Sequence, residues 1–216
     1  LKTEHKCVLN SFDYLSRNGV EVEYLDVQKN GLVDLDILEK KLQGVGLLSV
    51  MYVNNEIGVI QPIHEISKLT RSKGVIFHSD IAQAMGRLPI NLESLSLDAV
   101  SISGHKFYGP QGVGLAILNS ELKSILKPLF LGGGQQSNLR SGTLPTALCA
   151  GISKSVELFQ NSNFLNTQYE SHYSLFNHFI HKLDEAQIPY SINGVSPSDN
   201  IANTQRVPSS INIAFS

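Results

Sequence analysis

The chain has 216 residues, 42% of them hydrophobic, with 17 basic against 19 acidic side chains and a formal charge of −2. Such a length buries about 70% of the unfolded surface, enough for a core without staples. The balanced charge leaves no electrostatic footprint for nucleic acid or an anionic membrane, and the longest apolar run, Gly46 to Val53, is too short to span a bilayer.

In chain order, short apolar runs alternate with helical patterns, which predicts a layered α/β domain. Val20 to Asp26 (VEVEYLD) alternates apolar and polar residues and reads as a strand with one solvated face. Asp34 then offers a helix N-cap ahead of Leu35, Leu38 and Leu42. Gly46 to Val53 (GLLSVMYV) is nearly all apolar, as a strand covered on both faces would be. Pro62 opens a helix striped by Ile63, Ile66 and Leu69, and Gly74 stops it. Val75 to His78, Asp98 to Ser103 and Val113 to Leu118 complete the strand set.

The second half reads differently. Leu144, Leu148, Ile152, Val156 and Phe159 mark a helix around Pro145. Phe164 to Ala186 carries Tyr169, Tyr173, Phe176, Phe179, Ile180 and Leu183 on a long amphipathic helix that Pro189 terminates. Asn193 to Pro208 is loop-like, and Ser210 to Phe215 alternates as a strand. A boundary near Asn161 to Asn163 divides a large domain, residues 1–163, from an incomplete small α+β domain, residues 164–216.

Three segments bear chemistry, each directly after a strand. SISGHKFYGPQGVG, Ser101 to Gly114, sets a His-Lys pair at the mouth of a Gly-rich turn. Open α/β sheets bind ligands at the C-terminal ends of their strands, so a partly desolvated Lys106 beside His105 reads as a nucleophilic amine or as a solvated turn lysine. Asp80 and Gln83 follow the VIFH strand; the carboxylate can pair with a cationic heterocycle or cap a helix. In VNNEIG, Val53 to Gly58, adjacent amides and a carboxylate can bind a polar ring or make an ordinary turn.

Together with TEHK at residues 3 to 6 and RSGT at 140 to 143, these blocks closely resemble the fold-type I pyridoxal-phosphate (PLP) enzymes, specifically the NifS/IscS group of cysteine desulfurases. The matching runs are TEHK, VNNEIGVIQPI, HSDIAQAMGRLPI, SGHKFYGPQGVG and LRSGTLP, in the family's order across essentially the whole chain. The resemblance implies a large domain built on a mainly parallel sheet between helices, with Lys106 and His5 as catalytic residues. Lys106 would carry PLP, His5 would stack on its ring, and Asp80 would pair with the ring nitrogen. Gln83 would hydrogen-bond the phenolic oxygen, with Asn55 near it and the substrate. Ser103 and His105 would hold the phosphate, and Thr143 would reach the phosphate of a partner subunit in a homodimer. The implied activity is conversion of L-cysteine to L-alanine with sulfur passed to an enzyme cysteine, and onward to an acceptor or scaffold protein for iron-sulfur or thio-cofactor assembly. A cytoplasmic or an organellar setting, such as the mitochondrial matrix, fits equally well.

The sequence departs from that family in specific places. The family's first phosphate loop would precede TEHK, and its nucleophilic cysteine and substrate-carboxylate arginine would follow Phe215. The chain begins at Leu1 without an initiator Met or signal-like segment, which predicts the middle of a longer protein. A non-catalytic remnant or one half of a split desulfurase is the alternative expectation; a related PLP aminotransferase or selenocysteine lyase is another. Cys7 follows TEHK where the family has a small residue, and Cys149 reads as a small core hydrophobe. Two cysteines fit a reducing compartment better than a disulfide scaffold. Gln136, Ser137 and Asn138 replace the family's acid-arginine-glycine wording. His64 and His78 read as structural. His172, His178 and His181 lack the Cys or carboxylate company of a metal site, and Gly132 to Gly134 lack a dinucleotide context.

Overall fold

The structure, a computed structural model, describes residues 1–198 and 200–215. Asp199, within the expected loop, and Ser216 lie outside the described residues. Helices α1 (Lys6–Arg17) and α2 (Leu35–Lys41) precede strand β1 (Leu47–Ser49), followed by α3 (Ile63–Lys73), β2 (Ile76–Asp80), α4 (Leu92–Leu95), β3 (Ala99–Ser103) and β4 (Gly114–Leu118). Helices α5 (Ser120–Ile125), α6 (Thr146–Gln160) and α7 (Ser162–Glu185) lead to β5 (Tyr190–Ile192) and β6 (Ile213–Phe215).

Local chemistry sets several of these boundaries. The Asp34 carboxylate receives the Ile37 N–H at 3.0 Å, closing the start of α2. Gly74 ends α3 in the left-handed region, φ 68°, and its N–H returns to the α3 carbonyls. The Asn161 side chain caps α7 through the N–H groups of Asn163 and Phe164, at a tight break between α6 and α7.

Strands β1, β2 and β3 run parallel in that order, and β4 lies antiparallel beside β3. The Val50 and Tyr52 N–H groups continue the β1 ladder onto the His78 and Asp80 carbonyls. One apolar cluster joins Leu38, Leu42, Val50, Ile63, Ile66 and Phe77; a second joins Ile81, Ala84, Val100, Ile102, Phe107, Ile152 and Val207. Full burial of a side chain such as Ile66 or Phe77 contributes about 1.5–3 kcal/mol.

Val20 to Asp26 does not form the expected strand. Among the described residues it pairs with no other strand; the Val20 N–H to Leu15 carbonyl bond and the Lys2 N–H to Leu25 carbonyl bond tie its backbone to the rest of the fold. An extended segment without a neighbour cannot fill a ladder, whatever its side-chain alternation. Between it, α1 and β1 lies a cavity of about 640 Å3 lined by Val8, Phe12, Val22, Leu25 and Leu47. Cys149 and His64 also differ from expectation: Cys149 is half-buried, and His64 is exposed.

Strands β5 and β6 form a separate antiparallel pair. The chain between them returns to the segment linking β1 to α3, where the Ile60 N–H donates to the Gln205 carbonyl and the Val207 N–H to the Gly58 carbonyl. Arg206 is fully buried at this seam. Its guanidinium donates to the carbonyls of Asn193, Val195 and Ser210 and lies 5.4 Å from the Phe176 ring centre. Burial pushes its pKa below the ordinary value.

Candidate functional site

Three parallel strands bring their C-terminal ends to one side of the sheet, and the candidate residues follow from where each strand stops. Asp80 is the last residue of β2, opposite Ser101 of β3. Its Oδ1 receives the Ala82 N–H at 2.9 Å, which turns the chain toward half-buried Gln83. Beyond Asp80 the chain makes a turn, not the helix for which a cap was one expectation. The Tyr52 N–H donates to the Asp80 carbonyl at 2.9 Å, so the VNNEIG turn leaves the sheet beside Asp80.

Within that turn the adjacent asparagines differ. Asn54 is buried, and its Oδ1 receives the N–H groups of Glu56 and Ile57, both at 2.9 Å. Its Nδ2 donates to the Thr3 carbonyl at 2.8 Å, while Asn55 remains half-buried. Glu4 supplies a second tie, receiving the Met51 N–H on Oε1 at 2.7 Å. These bonds hold the TEHK segment, and so His5, against the strand ends. Glu4 is buried, its Oε2 has no partner among the described residues, and burial pushes its carboxyl above the ordinary value. Asn54 and Glu4 were missed as site residues in the sequence. The available signal was Asn-x-x-x-Gly after a buried strand, the wording of a side-chain-closed turn.

Ser103 ends β3, half-buried, and its hydroxyl makes no cap bond to the 3-10 turn Gly104–Lys106. His105 and Lys106 are exposed, so Lys106 lacks the partial desolvation expected of it. The turn beneath them is tight. A Cβ at Gly104 would approach the Val113 carbonyl oxygen to 2.9 Å, and one at Gly109 would reach the Gly104 oxygen at 2.6 Å. Phe107 is buried below, and Tyr108, at φ 65°, stacks on Phe159 with ring centres 5.7 Å apart.

His78 bridges the three strands one row before Asp80, with Nδ1 2.8 Å from Ser49 Oγ and Nε2 3.2 Å from Ser101 Oγ. Burial lowers its pKa, and the Asp80 charge opposes that shift. The structural role expected of His78 is therefore carried by two hydroxyls.

Thr143 is exposed in a loop held by its own contacts. Gly142 N–H donates to the Gln135 amide oxygen, and the Arg140 guanidinium lies 5.0 Å from the Phe130 ring centre. Among the described residues, no hydrogen bond joins Thr143 to the strand-end cluster. Gln136, Ser137 and Asn138 all adopt left-handed backbone, φ 52°, 57° and 64°.

The segments at the strand ends, with the TEHK segment tied to them, thus carry an amine, a carboxylate, two imidazoles, two amides and a hydroxyl. That donor set suits a ligand with an electrophilic carbonyl, a basic ring nitrogen and an anionic group. Among the described residues, no group of His, Cys, Asp and Glu side chains is arranged to hold a metal, and no helix is long and apolar enough to cross a membrane.

A family model described as aminotransferase class-V matches residues 1–208. The chain is 41% identical over 216 residues to "Cysteine desulfurase IscS" of Rickettsia typhi, a match covering 100% of this chain and 50% of the relative. A solved structure described as a NifS-like protein superposes with a TM-score of 0.84 at 30% identity, covering 99% of this chain and 56% of that one. Another, described as SspA in complex with cysteine, gives 0.82 at 32% identity over 99% and 56%. The chain spans about half the length of the curated relatives it matches.

Proposed function

Because this chain belongs to the aminotransferase class-V family, we propose that it forms most of the cofactor site of a PLP-dependent cysteine desulfurase. The observation that supports the reading is that Asp80 and the Lys106 turn follow the C-terminal ends of neighbouring parallel strands, with the TEHK segment tied by Asn54 to the turn after β1. The relatives named as cysteine desulfurases and the likeness to a protein solved with cysteine support L-cysteine as the substrate. In this reading the sulfur leaves as a persulfide on an enzyme thiol, L-alanine remains, and an acceptor or scaffold protein takes the sulfur.

The donor set fits PLP. When bound, that cofactor supplies an electron sink for the pair left by a broken Cα–H bond. Lys106 would hold the cofactor through its carbonyl carbon, and its amine would be placed to move the substrate Cα proton. The Asp80 carboxylate would keep a proton at the ring nitrogen. His5 would support the ring, Gln83 would donate to the phenolic oxygen, and Asn55 would orient the substrate. Ser103 and His105 would hold the phosphate, and Thr143 would serve the site of a second subunit. Residues 1–163 act as the large domain and residues 164–216 as part of the small one, joined at the Arg206 seam. Both cysteines are free thiols, which supports a reducing, cytoplasmic setting.

The test is to add PLP to the chain and to Lys106→Ala and follow the visible band of the lysine-bound cofactor. Colour in the wild type and none in the variant is expected; equal colour in both refutes the assignment of Lys106. Alanine release on adding L-cysteine, against amination of a keto acid, then separates a desulfurase from an aminotransferase.

A further inference from the structure

His5 closes the N-terminus of α1 with its own ring. Its Nδ1 receives the Cys7 N–H at 3.2 Å, and the Cys7 sulfur lies 3.0 Å from the same nitrogen. A ring nitrogen that accepts a main-chain N–H must offer its lone pair, which leaves the ring proton on Nε2. Protonating Nδ1 would set one N–H against another. The sulfur is suited to donate as well. Cys7 and His5 are both exposed, yet partial desolvation first, then the negative charge of Asp80, pushes the Cys7 thiol above its ordinary value, with Glu4 adding to the rise and backbone hydrogen bonds opposing it.

We propose that Cys7 is a positioning residue for His5: its thiol and its backbone N–H converge on Nδ1 and fix both the rotation of the ring and its Nε2–H form. The free nitrogen of His5 is then a hydrogen-bond donor. The significance of that for chemistry rests on the proposed role of His5 against the cofactor ring, but the pair itself does not. The position after TEHK, where the resembled family carries a small residue, thus has a function in this chain. An alanine there would keep the main-chain donor and lose the side-chain one.

The test uses the 216-residue chain, labelled with nitrogen-15 histidine and studied without cofactor, above the ordinary imidazole range near 6.5. His5→Gln assigns the His5 signals. The wild type is expected to show one form, with an unprotonated Nδ1 and a protonated Nε2. Cys7→Ala is expected to move both nitrogen shifts toward an average of the two neutral forms, and Cys7→Ser to restore the single form with its hydroxyl donor. An unchanged spectrum in Cys7→Ala, a wild-type proton on Nδ1, or a serine variant that fails to restore the single form each overturns the proposal. Because no cofactor is present, this outcome is separate from the Lys106 colour test. Lysine-dependent colour with an unchanged Cys7→Ala spectrum sinks only the positioning role. The expected spectra without lysine-dependent colour sink only the cofactor reading.

Discussion

Asn54 Nδ2 donates to the Thr3 carbonyl at 2.8 Å, so one side chain ties the TEHK segment to the turn that follows β1. Asn54 also closes its own turn through two N–H groups. Asn54→Ala orphans the Thr3 carbonyl and both donors, and a loss of about 2–4 kcal/mol is expected in urea unfolding. Asn55→Ala should cost under about 1 kcal/mol, as a half-buried turn residue, while weakening PLP binding. A smaller stability loss for Asn54→Ala than for Asn55→Ala would reverse this division of labour.

His78 gives the fold a pH dependence. Its folded pKa lies below the ordinary 6.5 because burial disfavours the imidazolium. The unfolded chain therefore binds more protons in the window from 6.5 down to the depressed folded value, and stability falls as the pH drops through it. Above that window the stability is fully present. His78→Asn keeps polar partners for the Ser49 and Ser101 hydroxyls, and its unfolding free energy should vary less across this window. A slope equal to that of the wild type in urea titrations would assign the effect elsewhere.

The run Gln136, Ser137 and Asn138 holds three consecutive non-glycine residues in left-handed backbone. That conformation costs about 1–2 kcal/mol for a side chain with a Cβ, and a glycine recovers it at some cost in unfolded-chain entropy. Gln136→Gly and Ser137→Gly are each expected to stabilise by about 0.5–1 kcal/mol in urea midpoints. Asn138→Gly should gain less, since asparagine tolerates this region. Destabilisation by both of the first two would show that their side chains contribute contacts outweighing the strain.

Gly109 allows the Lys106 turn to fold back on itself. With its Cβ only 2.6 Å from the Gly104 oxygen, Gly109→Ala must displace backbone. The expected result is a loss of about 1–3 kcal/mol, with weaker lysine-dependent colour on adding PLP. Wild-type colour and stability would mean that the turn absorbs the methyl freely.

The α/β architecture was legible because its strongest signals are local. Asp34, Pro62 and Gly74 sit at the ends of α2 and α3, and the apolar runs before Asp80 and Ser103 are β2 and β3. The fold-type I expectation is upheld by the likeness to the NifS-like structure. What escaped the sequence depends on neighbours. Val20 to Asp26 has a strand's alternation, yet pairing requires a strand beside it. Nothing local says which of Asn54 and Asn55 points inward, since the twist of the turn decides. Arg206 lies in a stretch that reads as polar loop, and only the carbonyls it gathers from Asn193, Val195 and Ser210 explain its complete burial. Cys7 is legible as a thiol; its direction toward His5 is set by the first turn of α1.

Strand β4 runs back along β3, and Ser103 pairs with Gly114 across the opening of the loop between them. Lys106 therefore hangs on a short tether anchored at both ends rather than on a free arm. A closed loop confines its amine to a small volume before any ligand arrives, so the local concentration of amine at the strand ends is high and nearly independent of protein concentration. Lengthening the loop with glycines would dilute that amine without removing it, and capture of a carbonyl would slow while its final extent changed less.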